Sequence, residues 1–214
     1  MVGSPPDGAH GAGRLPTGRA VVLVPVKAFA AAKGRLAGVL DGPGRAALAR
    51  SMAEVVVAAA APLPVVVVCD DDDVAAWAAQ VGATVVWTEG LGLNGAVDEG
   101  VRRLAEAGVA RVIVSHADLP FASSLASLAE ADDDAVLLVP DRRHDGTNVA
   151  SVPTGRGFGF RYGAGSLSAH RAEAERLGLP VRLVESESLG WDVDEPADLR
   201  PPAHLGTVPL GGSA

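Results

Sequence analysis

A single cysteine, Cys69, stands in a chain of 214 residues. One thiol makes neither a disulfide framework nor a cysteine metal cluster, and it suits a reducing, cytoplasmic home. Aromatic residues are scarce at 4%, which predicts a core of small aliphatic side chains. No apolar run reaches the roughly 18 residues of a membrane span, because Asp, Arg or Pro interrupts each one. The first residues lack a signal-peptide h-region. Positive charge is in deficit: 18 Lys and Arg face 26 Asp and Glu, a net charge of −8, which argues against a broad nucleic-acid surface. Lysine is the scarcest base. Only Lys27 and Lys33 occur, both just after the first predicted strand. Where arginine is the default base, two lysines kept together suit a compact ammonium on a phosphate; the competing account is chance clustering.

The chain is otherwise 48% apolar and 21% charged, the balance of a globular protein with a real core. Continuous apolar runs predict strands at 19–26, 65–69, 84–87, 111–115 and 135–140. Helical patterns fall at 43–61, 74–81, 94–107 and 123–130, with Asn94 as the expected N-cap of its helix. Strands alternating with helices at this spacing make a mostly parallel sheet with helices on both faces, an α/β, Rossmann-like architecture. After Pro140 the pattern shortens. Short strands are expected at 148–153, 157–162 and 181–184, a helix at 166–177, and a short helix at 197–199. Residues 1–18 read as a disordered leader and 201–214 as a loose tail, leaving one domain at 19–200.

Several phosphate chemistries are excluded by missing motifs. There is no G-x-x-x-x-G-K-[ST] and no G-x-G-x-x-G after the first strand, which argues against a P-loop NTPase and a dinucleotide-binding dehydrogenase. The absence of G-x-S-x-G removes an α/β-hydrolase elbow. What remains is a set of acids at strand ends. Asp118 follows the fourth strand, where open α/β sheets bind ligands. Asp192 and Asp194 form a D-x-D on an extended segment, a spacing that puts both carboxylates on one side. Carboxylates from two segments, completed by substrate phosphates, suit Mg²⁺. Each acid also has a plain alternative as a turn or helix cap. The run Asp70 to Asp73 reads as a solvated loop and helix N-terminus. His116 either orients Asp118 or packs, and packing is the commoner role.

Six stretches together carry a family resemblance: LVPVKAFAAAKGRLAGVL at 23–40, GLNGAVDEG at 92–100, HADLP at 116–120, DGTNV at 145–149, RYGAGSLSAH at 161–170 and WDVDEPADL at 191–199. In that order and spacing the chain resembles the guanylyltransferases of deazaflavin coenzyme (F-420) biosynthesis over about residues 20–200. It lacks the glycine-rich L-x-G-G-x-G loop usual in the wider nucleotidyltransferase fold, and the PVKAFAAAKGRL form marks this branch. The resemblance implies a nucleotide-diphospho-sugar-transferase-like fold. It implies transfer of GMP from GTP to phosphoenolpyruvate or 2-phospho-L-lactate, with release of pyrophosphate. The product would pass to a downstream transferase; no nucleic acid or membrane takes part. No residue distinguishes the two acids; the Ala-, Arg- and Gly-rich composition looks actinobacterial, and for that branch the resemblance implies phosphoenolpyruvate. By the family pattern Asp118 and Asp192 hold Mg²⁺, with Asp194 a further candidate. Lys27, Lys33 and Arg35 face the triphosphate, and Lys27, Lys33 and Asp118 form the catalytic set. Asn94 and the loop before it lie near the nucleoside. Thr147, Gly163 and Ser166 cradle the phosphorylated acid, a Gly-Ser turn opening a helix being a source of backbone N–H donors. The rivals are a nucleotidyltransferase of the same fold acting on a sugar phosphate or molybdopterin-type acceptor, and a non-catalytic nucleotide-binding module.

Overall fold

A computed structural model describes residues 14–131 and 134–210. Among them seven strands form one sheet in the order β3-β2-β1-β4-β6-β5-β7. They are β1 (Ala20–Pro25), β2 (Val65–Cys69), β3 (Thr84–Trp87), β4 (Arg111–Ser115), β5 (Val136–Pro140), β6 (Thr147–Pro153) and β7 (Val181–Leu183). β4 and β5 both pair antiparallel to β6, while the other pairings are parallel. The mostly parallel α/β sheet expected from the sequence is therefore present, with β6 alone running against it.

The strands alternate their side chains between two cores. Val22, Val24, Val67 and Ile113 point to one face, where helix α1 (Gly42–Ala59) lays down Ala49, Ala53 and Val56 and α2 (Asp72–Gln80) adds Val74 and Trp77. Val21, Leu23, Val66, Val68, Val112 and Val114 point to the other face. There α3 (Gly92–Glu106) packs Val97, Val101 and Leu104, and α4 (Ser166–Arg176) packs Leu167 and Ala174. The small aliphatic side chains let α3 come close. A Cβ on Gly100 would lie 2.5 Å from Leu23 Cδ1 and 2.8 Å from Val68 Cγ1.

Caps follow the sequence in part. Asp41 accepts from the Gly44 amide at 2.7 Å to open α1, and Asp71 accepts from Val74 at 3.0 Å to open α2. The acidic run at 70–73 is thus a helix start, as expected. Asn94 is not an N-cap, because α3 begins before it at Gly92. The helix expected over 123–130 is a 3-10 segment, Leu125–Ala129, entered through Ser124 at φ 51.

The strand expected at 157–162 has no strand partner among the described residues. It is an extended segment whose Phe158, Phe160 and Tyr162 are buried in the second core. Its amides are satisfied by side chains instead: Gly159 donates to Glu173 at 3.1 Å, Phe160 to Asp98 at 3.1 Å, Arg161 to His170 Nε2 at 3.0 Å and Tyr162 to Asn94 at 2.7 Å. The period-2 pattern was legible; the source of the hydrogen bonds was not.

The leader expected at 1–18 falls mostly outside the described residues, and Leu15 packs against the second core. The tail from 201 is less loose than expected. Val208 is 7% exposed in a third cluster with Leu36, Leu48, Met52 and Val193. Residues 211–214 lie outside the described residues.

Candidate active site

The chain leaves β1 for β2 and β3 on one side, then returns through α3 to β4 on the other. That reversal is a topological switch point, the place where an open α/β sheet parts its loops for a ligand. The loop beyond β1 carries Lys27, Lys33 and Arg35, and the loop beyond β4 carries His116 and Asp118. Both line a cleft of about 620 Å³, with Phe29, Gly163 and Asp194. A smaller recess of about 240 Å³ adjoins it beyond β1 and β2 and shares Pro25, Lys27 and Leu93.

Lys33 holds the centre of the cleft. It adopts φ 54 and ψ 39, turning its side chain inward from a loop of short 3-10 turns. Its ammonium, with the side chain only 10% exposed, donates to Asp118 Oδ2 at 2.6 Å and to Asp194 Oδ1 at 3.1 Å. An unpaired charge buried this far would be expensive, so the two carboxylates are what permit it. Burial alone pulls the Lys33 pKa down, but the charges and hydrogen bonds of Asp118 and Asp194 outweigh it and raise it. Burial likewise pushes the Asp118 carboxyl up, yet Lys33 and His116 hold it below the usual range. Arg35 lies at 3.9 Å from Asp194 in solvent, and Lys27 is exposed at the cleft mouth.

The two acidic segments are stitched together by backbone. Val193 N–H donates to the Asp118 carbonyl at 3.2 Å. Val193 is fully buried in the third cluster, and the acids on either side of it take different partners: Asp194 lines the cleft, and Asp192 does not. Asp194 faces Lys33. Asp192 faces Arg142 at 3.6 Å and sits close enough to Asp118 that burial and the Asp118 charge together raise its pKa.

Asp198 fixes this loop, and sequence reasoning passed over it. Only 2% exposed, its carboxylate accepts from the amides of Asp194 and Glu195, each at 2.8 Å, and from Arg142. Arg142 also donates to the Asp192 carbonyl at 3.1 Å and stacks its guanidinium 4.3 Å from the Trp191 ring centre. The sequence does carry a local signal: Glu195 and Asp198 stand at capping-box spacing around Pro196, and Asp198 accepts from the Glu195 amide.

Three buried polar atoms lack hydrogen-bond partners among the described residues at this end of the sheet: Asp118 Oδ1, His116 Nε2 and the Tyr162 hydroxyl. His116 packs on Tyr162 with ring centres 4.8 Å apart, and its Nδ1 is 3.9 Å from Asp118 Oδ1. Buried polar groups are normally satisfied, so an orphaned carboxylate oxygen beside a second acid fits a hard cation. No three acidic, His or Cys side chains converge as a metal cage among the described residues. Mg²⁺ does not need one, since it takes one or two carboxylates and fills the rest with water and substrate phosphates. Asp118, Asp192 and Asp194 fit that pattern.

Thr147 and Ser166 lie behind the cleft wall, each 2% exposed, next to Gly163 at φ 136 on its surface. The backbone donors expected at the start of α4 are largely spent within the protein. Gly165 N–H donates to Asp145 Oδ2, Ser166 N–H to the Gly163 carbonyl and Leu167 N–H to the Asp145 carbonyl, at 3.0, 3.1 and 3.0 Å. Asn94 is also set apart from the cleft. Its amide donates to the Tyr162 carbonyl at 3.2 Å and accepts from the Tyr162 amide, while its neighbours Gly92 and Leu93 line the smaller recess.

The fold is shared with solved nucleotidyltransferase-like proteins. A protein assigned as a nucleotide-diphospho-sugar transferase, from Desulfovibrio desulfuricans G20, superposes with a TM-score of 0.66 at 19% identity over 82% of each chain. More narrowly, residues 20–202 match the family described as guanylyl transferase CofC like, and the chain belongs to that family of enzymes. It is 37% identical over 184 residues to a phosphoenolpyruvate guanylyltransferase of Rubrobacter xylanophilus, covering 83% of this chain and 90% of the relative. It is 34% identical over 197 residues to a 3-phospho-D-glycerate guanylyltransferase of Phenylobacterium zucineum, covering 84% and 87%. The second relative adds an acid that the sequence reading had not considered.

Proposed function

We propose that residues 19–200 act as one nucleotidyltransferase domain that transfers GMP from GTP to phosphoenolpyruvate in coenzyme F-420 biosynthesis. The observation that carries this reading is the buried Lys33 bridging Asp118 and Asp194 at the switch point. In this reading Asp118 and Asp192, with Asp194 beside them, hold Mg²⁺. Lys27, Lys33 and Arg35 receive the triphosphate of GTP. The loop at 91–93, held by Asn94, borders the nucleoside. Thr147, Gly163 and Ser166 receive the phosphorylated acid. A cytoplasmic setting, with a downstream transferase to consume the product, belongs to the same proposal.

The chemistry needs little from the protein beyond placement and charge. A phosphate monoester with a second pKa of roughly 6 is already a nucleophile at neutral pH. One of its oxygens forms a bond to the α-phosphorus of GTP while the bond from that phosphorus to the β-phosphate oxygen breaks. The electron pair leaves with pyrophosphate, and no proton has to be removed. The chain must bring two anions together in line, which Lys27, Lys33 and Arg35 favour by offsetting their repulsion. Bound Mg²⁺ would supply further neutralisation of the triphosphate and the departing pyrophosphate. A protein with a net charge of −8 can do this because its lysines are concentrated at one point.

Pyrophosphate release should be measured with GTP, ATP, CTP and UTP against phosphoenolpyruvate, 2-phospho-L-lactate and 3-phospho-D-glycerate, with the downstream transferase present to trap the product. The expected result is turnover with GTP and phosphoenolpyruvate. Equal turnover with the other nucleotides would remove the guanylyl assignment; preference for another acid would move the acceptor alone.

A further inference from the structure

His170 is completely buried on α4, enclosed by Phe158, Phe160 and Tyr162 with ring centres 4.9 to 5.9 Å away. It has two polar contacts. The Arg161 backbone N–H donates to Nε2 at 3.0 Å, and Nδ1 lies 3.0 Å from Thr147 Oγ1. An amide N–H can only donate, so Nε2 must carry a lone pair. In a neutral imidazole the hydrogen is then on Nδ1, which donates to Thr147 Oγ1. Burial and the charge of His116 favour that neutral ring and lower its pKa to about 4, against an opposing pull from Glu173.

The consequence falls on Thr147. With its oxygen engaged as an acceptor, the Thr147 hydroxyl has a proton to give, and no acceptor for it is found among the described residues. Ser166 is set in the same way, because its Oγ accepts from the Thr147 backbone N–H at 2.9 Å. Two adjacent hydroxyls thus have their oxygens held by protein donors and their protons left over. We propose that His170 is a positioning residue, which pins the Thr147 oxygen so that the hydroxyl proton is offered to the phosphorylated acid. This rests on the reading that Thr147 belongs to the acceptor site. It also explains a buried histidine where phenylalanine would pack as well: the aromatic cage needs a ring, and the acceptor site needs a donor on one edge of it.

Two substitutions separate the two edges of the ring. The amide of His170→Asn falls near Nδ1 and can still donate to Thr147, but it leaves the Arg161 N–H unpaired. His170→Gln reaches the place of Nε2 and keeps that bond while releasing Thr147. KM for phosphoenolpyruvate and for GTP, and the melting temperature, should be measured for both and for Thr147→Val. His170→Gln should raise the acceptor KM on the order of tenfold, leave the GTP KM unchanged and melt close to the parent. His170→Asn should keep the acceptor KM within about threefold even if it melts lower. In the double variant, His170→Gln should add nothing to Thr147→Val. If the acceptor KM follows melting temperature in both His170 variants, the residue is structural and the proposal fails. If Thr147→Val raises the acceptor KM and His170→Gln does not, the inference fails while the acceptor site stands. An acceptor KM untouched by Thr147→Val overturns the acceptor site and the role of His170 with it.

Discussion

Lys33 Nζ lies 2.6 Å from Asp118 Oδ2, a contact joining the loops beyond β1 and β4 across the switch point of the sheet. The same ammonium reaches Asp194 at 3.1 Å, so three distant parts of the chain meet on one charge. The two roles proposed for these residues are linked by this contact. The carboxylates that would take a cation hold the lysine that would face the triphosphate. Loading the site would exchange an internal counter-ion for Mg²⁺ and free the lysine for the incoming phosphates.

Asp118→Asn tests that linkage. The amide cannot neutralise Lys33 or serve as a strong ligand for a hard cation. Pyrophosphate release should fall by at least about a hundredfold. Mn²⁺ binding, followed by its electron paramagnetic resonance signal in the presence of GTP, should weaken in parallel. Folding should be perturbed less than by a fully buried charge loss, because Asp194 still pairs with Lys33. Full metal-dependent turnover in this variant would remove Asp118 from the metal site.

Asp198→Asn reaches the same site without touching it. The carboxylate of Asp198 is 2% exposed and receives two backbone amides and Arg142. Backbone donors and Arg142 hold that carboxyl below its ordinary pKa against the burial that would raise it. Replacing it removes the more buried of the two carboxylates that face Arg142, leaving Asp192 at 3.6 Å, and weakens two backbone hydrogen bonds, at a cost of about 1–3 kcal/mol in stability. It should also loosen the loop carrying Asp192 and Asp194, weakening Mn²⁺ binding roughly tenfold or more. Denaturant unfolding and a metal titration measure the two separately. Normal metal binding in a destabilised variant would mean that the loop is held by other contacts.

The residues that proved legible in the sequence share a local signature. Lys27, Lys33 and Asp118 follow strands written as unbroken apolar runs, whereas the D-x-D spacing alone does not separate Asp194, which lines the cleft, from Asp192, which faces Arg142. The run Asp70 to Asp73 reads as a helix start, and within it Asp71 accepts from the amide three residues on. The misses depend on contacts made across the fold. Asn94 looks like a cap, yet its amide clamps the Tyr162 backbone from 68 residues away. The 157–162 segment shows strand periodicity, but whether a strand or four side chains will satisfy its amides is decided by α3 and α4. Arg142 and His170 carry no spacing signal for the same reason, since their partners are remote backbone and side-chain groups; Asp198 instead bonds amides three and four residues before it, and only its pairing with Arg142 is long-range.

Gly100→Val examines how closely α3 sits on the sheet. The new Cβ would meet Leu23 and Val68, both in the second core. Leu23 can shift its methyl, but Val68 lies in β2 between two paired strands and has little room. Overpacking of this kind costs about 1–3 kcal/mol, and a β-branched residue adds a small helix-propensity cost. Chemical denaturation should show the loss, with the unfolding slope unchanged. A variant as stable as the parent would mean that α3 can lift from the sheet without penalty.

Acid sensitivity should expose the buried imidazole. His170 titrates at about 4 in the fold against an ordinary value of 6.5, with burial the main cause, His116 adding to it and Glu173 opposing. Between those two pH values the unfolded chain binds more protons than the folded one, so stability falls as pH is lowered through that window. Above about 6.5 the contribution is fully present, and below about 4 both states are protonated and nothing further is lost. Protonated His170 would carry N–H groups at both ring nitrogens, and the one on Nε2 would oppose the Arg161 N–H. Denaturant unfolding from pH 7 to 4 should show this loss in the parent. In His170→Phe, whose ring suits the cage of Phe158, Phe160 and Tyr162, that part of the pH dependence should disappear, while the paired carboxylates continue to contribute at lower pH. Identical pH profiles for the two proteins would place the titration of His170 elsewhere and undercut the neutral tautomer on which its bond to Thr147 depends.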